Sequence, residues 1–98
     1  MSGKDPVYSK SPHFVFRKVA GESILVPLRK QLNEVNSLYV LNETAAAIWE
    51  RLDGRARFGS ILEDLGRDLE VEFPQFEKDA SALVEDLLNI QAIENCRT

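Results

Sequence analysis

Few residues in this chain have side chains suited to catalysis, and their placement gives them little to act with. The single histidine, His13, has no second ligand at a metal-binding interval around it. The single cysteine, Cys96, follows the last structured stretch, where a nucleophile and its base are hard to hold in register. The five glycines are scattered rather than gathered into a loop that cradles phosphate. Carboxylates are plentiful, but nothing in the sequence brings one pair together as acid and base. The residues therefore predict a binding module: not an enzyme, with no metal and no cofactor. The chemistry left to it is that of the main chain. Ser37, Leu38, Tyr39, Val40 and Leu41 form a short run rich in β-formers. If such a strand lies at a sheet edge, its unpaired N–H and C=O groups can template a foreign segment by β-augmentation.

The elements that must hold this strand can be read on either side of it. His13 to Val19 alternates, with Phe14 and Phe16 on one face and Val15 and Arg17 on the other. Ala20-Gly21-Glu22 predicts a tight type II′ turn into a second strand over Ser23 to Leu28, in which Ile24, Val26 and Leu28 share a face. Pro27 marks a strand end, an edge or a bulge there, because it has no N–H to donate. Ser37 to Leu41 is then the third strand, and Asn42 is placed to cap a helix over Glu43 to Leu52, with Glu43 in its first turn and Gly54 as the C′ stop. Trp49 belongs to that helix's inner stripe and reads as a core anchor rather than a stacking platform. Phe58, Ile61, Leu62, Leu65 and Leu69 predict a second helix, frayed at its start because Arg57 stands where a capping side chain is wanted. Pro74 opens a third helix whose inner stripe is Phe76, Ala80, Leu83, Leu87 and Ile90. Val84 and Leu88 widen that stripe to a second apolar flank, which either packs on the first helix or stays open to a ligand.

Ninety-eight residues with 44% hydrophobic content support one domain and one core. The expected division is a flexible tail over 1–12, a folded domain over 13–94 and a short tail over 95–98. The lone thiol and the lack of a long apolar run predict a cytoplasmic protein with no membrane partner. Charge is uneven: residues 1–57 hold nine Lys/Arg against six Asp/Glu, and residues 58–98 hold three against ten. The third helix carries Lys78 against Glu77, Asp79, Glu85 and Asp86, so its insertion into the electronegative groove of a nucleic acid would be repelled.

The run Leu41 to Gly54, L-N-x-T-A-x-x-I-W-x-x-L-D-G, resembles the signature of the PqqD family and of the related RiPP recognition elements. Asp79, the Leu83-Val84 pair and Leu87 add weaker likeness, and the resemblance spans residues 13–94. Arg57 and Gln91 depart from it: the first replaces a small capping residue, the second a glycine that ends the last helix. The resemblance implies an α+β, winged-helix-like domain with a three-stranded antiparallel sheet followed by three α-helices. It also implies a peptide chaperone that binds the leader segment of a ribosomally made precursor and presents it to a maturation enzyme, often a radical-SAM partner, as in pyrroloquinoline quinone biosynthesis. The leader would add beside Ser37–Leu41, in a cleft whose facing wall is expected from Ser81, Val84, Glu85 and Leu88. Glu77 and Glu85 would steer a basic leader toward it. Two other readings stay open on the residues: a winged-helix nucleic-acid binder, and an assembly subunit that uses the same edge to form a homodimer.

Overall fold

The computed structural model describes residues 6–28 and 39–96. The expected hairpin is present as β2 (Phe14–Val19) and β3 (Glu22–Pro27), paired from Phe14 with Pro27 to Val19 with Glu22. Its two-residue turn has positive φ at both Ala20 (51°) and Gly21 (82°), which makes it type I′ rather than type II′. The I′ form matches the right-handed twist of the flanking strands, at the cost of placing a non-glycine residue in the left-handed region.

The third expected strand is β4 (Tyr39–Leu41), which lies antiparallel to β3 and ends the sheet β2-β3-β4. Leu41 then passes directly into α1 (Glu43–Arg51). The Asn42 side chain accepts a hydrogen bond from the Ala45 N–H at 2.8 Å, the capping role expected of it. The helix ends earlier than its signals suggest. Leu52, buried in the core, takes an extended conformation, and Gly54 is not its C′ stop. Gly54 instead lies in β5 (Asp53–Arg57) with φ +80°, where an added Cβ would stand 3.3 Å from the Ser9 Cβ. The Asp53 carboxylate accepts from the amides of Arg55 and Ala56 and holds this corner. Those bonds to the charged form set its pKa below the ordinary carboxylate value.

β5 is part of a second sheet that the sequence patterns do not announce. Its central strand is β1 (Val7–Lys10), flanked by β5 and by β6 (Ile93–Asn95), all antiparallel. The expected mobile tail over 1–12 is thus corrected from residue 7 onward. Tyr8 is buried and meets Phe58 edge-on at 5.5 Å, and the Ser11 N–H donates to the Ala92 carbonyl. The expected C-terminal tail is corrected too: Asn95 lies in β6, and the Cys96 N–H donates to the Val7 carbonyl at 2.7 Å.

α2 (Phe58–Leu69) has Arg57 at its N-cap with no side-chain cap bond, as expected, but the Phe58 N–H donates to the Pro6 carbonyl at 2.8 Å, so the residue just ahead of β1 holds the start that was expected to fray. α3 (Phe73–Asn89) has Pro74 in its first turn. Its end is a Schellman motif. The Ala92 N–H donates to the Leu87 carbonyl, the Gln91 N–H donates to the Leu88 carbonyl, and Gln91 has φ +67°. Ile90 lies at this turn and is 37% exposed, so it leaves the inner stripe predicted for it. The remaining stripe residues join one core: Leu25, Leu41, Ile48, Trp49 and Leu52 pack with Phe76, Ala80, Leu83 and Leu87. The architecture is α+β and winged-helix-like, with two small antiparallel sheets and three helices where one sheet was expected.

Candidate functional site

The register of the β2-β3-β4 sheet determines which main-chain groups reach its edge. The Leu28 N–H donates to the His13 carbonyl at 2.7 Å, so these two residues form a bonded pair. Antiparallel pairs alternate between bonded and non-bonded, which makes Arg17–Ile24 and Val19–Glu22 bonded and leaves Ser23 and Leu25 directed toward β4. Ser23 faces Leu41 and Leu25 faces Tyr39, while Ile24 and Val40 form the non-bonded pair between them. Val40 therefore directs both its N–H and its C=O away from the sheet. No described strand pairs with that side of β4. At the next outward position the carbonyl of Asn42 already accepts from the Ala46 N–H, so the free edge ends where α1 begins. Of the five strand residues expected to bind, Tyr39, Val40 and Leu41 are placed here; Ser37 and Leu38 lie outside the described residues.

The open edge faces a cleft of about 590 Å³. Its floor is apolar: Ala45 and Ile48 from α1 meet Phe76, Ala80 and Leu83 from α3. Tyr39 and Val40 form one wall, and Gln75, Asp79, Ala82 and Asp86 form the other. Val40 is 58% exposed, while the inward-facing Leu41 is buried. The two walls touch at one point, where the Tyr39 hydroxyl donates to the Asp86 Oδ2 at 3.0 Å. Partial burial, followed by this bond and the negative charge of Asp86, raises the Tyr39 pKa above its usual 10.0. One helical turn away from the middle of that wall, the Gln75 Nε2 donates to the Asp79 Oδ1 at 3.0 Å.

The helix supplies a different flank from the one the sequence suggested. Ser81, Val84, Glu85 and Leu88 are not among the residues that line the cleft. At about 100° per residue, Ser81 and Leu88 project from the far side of α3 relative to Asp79 and Asp86. Val84 is 6% exposed and belongs to the core, and Leu88 is 37% exposed on the outer surface. Glu77 also lies off the cleft; its acidic residues are Glu72, Asp79 and Asp86. Asp79, which the sequence marks by its likeness to a family and by its charge, is a wall residue. Gln75, Ala82 and Asp86 join it as wall residues that no apolar period announces, because the cleft-facing flank is mostly polar.

His13 and Cys96 are exposed, and among the described residues no group of three or more His, Cys, Asp or Glu is placed to hold a metal ion. No helix among the described residues is long and apolar enough to cross a membrane.

Comparison with known proteins gives two findings. Residues 22–93 match the family model described as coenzyme PQQ synthesis protein D (PqqD). A solved structure described as TbiB1 in complex with the TbiA(beta) leader peptide superposes with a TM-score of 0.68 at 21% sequence identity, covering 88% of this chain and 94% of that one. At that identity the likeness is one of fold. No curated protein matches the chain.

Proposed function

Because the chain belongs to the PqqD family, we propose that it binds the leader segment of a ribosomally made precursor peptide and presents it to a maturation enzyme. The observation that carries this reading is the outward-directed main chain of Val40, set at the mouth of an apolar-floored cleft. A leader strand beside β4 would exchange hydrogen bonds with both groups of Val40. Its alternate side chains would point inward to the floor or outward toward solvent. Backbone bonds then give affinity that depends little on sequence, and the floor selects side chains. The similarity to a protein solved with a leader peptide supports the same reading.

The role is binding and delivery rather than catalysis. The maturation enzyme of this proposal is of the radical-SAM or another peptide-modifying type, and the pathway is pyrroloquinoline quinone synthesis or another peptide modification carried out in the cytoplasm. Nucleic acid fits the surface poorly, because the exposed residues of α3 include Glu77, Asp79, Glu85 and Asp86 against Lys78.

The test is a titration of isotope-labelled protein with the leader of a precursor encoded beside the gene. Amide shifts are expected at Tyr39–Leu41 and along Gln75, Asp79, Ala82 and Asp86. Shifts that avoid β4 altogether, or that appear on raising protein concentration without peptide, would overturn the reading in favour of another surface or of self-pairing.

A further inference from the structure

The charge of the cleft defines the occupant more narrowly. Among the described residues, those that line the cleft include three carboxylates, Glu72, Asp79 and Asp86, and no Lys, Arg or His. The carboxylates of Asp79 and Asp86 accept hydrogen bonds from neutral donors, the Gln75 amide and the Tyr39 hydroxyl. The ion pairs formed among the described residues lie elsewhere, Arg51 with Asp68 and Arg67 with Asp64. Among the described residues, the negative charge on this wall thus meets no ion-pair partner. Asp79 and Asp86 are seven residues apart on one helix and so share a face, about 10 Å apart along the axis.

Resting on the strand-addition reading above, we propose that the cleft selects a basic amphipathic segment. Such a segment would lay an apolar side chain on the Ile48–Phe76–Leu83 floor and hold a neighbouring inward-facing Lys or Arg against Asp79 or Asp86. The geometry of a strand makes both contacts available to one peptide. Inward-facing residues recur every second position, about 7 Å apart, and a lysine or arginine stem covers the remaining distance to either carboxylate. The apolar residue supplies most of the affinity. The basic residue fixes which segment binds and in what register, because a carboxylate opposite the same wall would be repelled.

The experiment pans a library of random twelve-residue peptides against the full chain and against an Asp79→Asn/Asp86→Asn double variant. Asparagine keeps an acceptor for Gln75 and Tyr39 while removing the charge, so the wall stays built. Binders are retained when they shift the Val40 amide. The expected result is enrichment of Lys or Arg two positions from Leu, Ile or Phe, with binding to the double variant about tenfold weaker and the basic preference lost. Binders that shift Val40 but show no basic preference, or that bind the double variant equally well, would overturn this inference and leave strand addition standing. A library that yields no binder acting at Val40 would overturn both.

Discussion

Tyr39 joins the edge strand to the facing helix through its hydroxyl on Asp86, and that contact has a measurable signature. Its pKa is raised in the folded protein, so the unfolded chain loses this proton first as pH rises. The contribution of Tyr39 to stability is therefore complete below pH 10 and declines as pH climbs through the folded value. Ultraviolet titration should show both Tyr8, raised by burial, and Tyr39 ionising above 10, and Asp86→Asn should bring only Tyr39 down toward the ordinary value. An unchanged titration in that variant would mean that the Asp86 charge does not lie beside the hydroxyl in solution. Gln91 gives a second test at this scale. It sits at φ +67° in the Schellman motif, a conformation that an L side chain adopts at a cost of about 1–2 kcal/mol. Gln91→Gly should raise stability by about 0.5–1 kcal/mol in denaturant unfolding, the glycine's greater freedom in the unfolded chain offsetting part of the relief. The departure from the family's glycine is thus visible as strain at one residue.

Among the elements, β4 is the one whose backbone has a task. Val40→Pro removes the outward N–H while leaving the bonds of Tyr39 and Leu41 to β3 in place. Leader binding should weaken about tenfold with the fold retained, as read by calorimetry and circular dichroism. Equal affinity would mean that the strand does not pair through Val40. How much of these elements is legible in sequence follows from their length and patterning. The alternation of Phe14 and Phe16, the Asn42 cap and the heptad-like stripe of α3 each repeat often enough to reveal a period. β1, β5 and β6 do not. They are three to five residues long, and β5 reads Asp-Gly-Arg-Ala-Arg, which has no strand-forming side chain. They are strands because partners distant in sequence pair with them, and no local pattern records that. The cleft-facing side of α3 is illegible for a related reason: periodicity gives the phase of the apolar stripe but not which of its neighbouring flanks meets β4.

At the level of the whole molecule, the β5-β1-β6 sheet ties residues 7–10 and 93–95 into the fold that supports the cleft. β1 lies between β5 and β6, and Tyr8 belongs to the core shared with Phe58 and Ile93. Removing residues 1–10 should therefore destabilise the domain rather than trim a tail. Tyr8→Ala alone should cost about 3 kcal/mol in chemical unfolding, and a cost of only a few tenths of a kcal/mol would place Tyr8 outside the core. The acidic balance of residues 58–98 extends over the helical half, so the protein should not be retained on duplex DNA even at low salt; retention that fades steeply with added salt would support the nucleic-acid reading instead. All of the functional account converges on one amide. Hydrogen exchange resolved at single residues should find Val40 unprotected in the free protein between protected Tyr39 and Leu41, and protected once a leader peptide is bound. A Val40 amide already protected in the free monomer, or one still exchanging freely under saturating leader, would contradict strand addition at this edge.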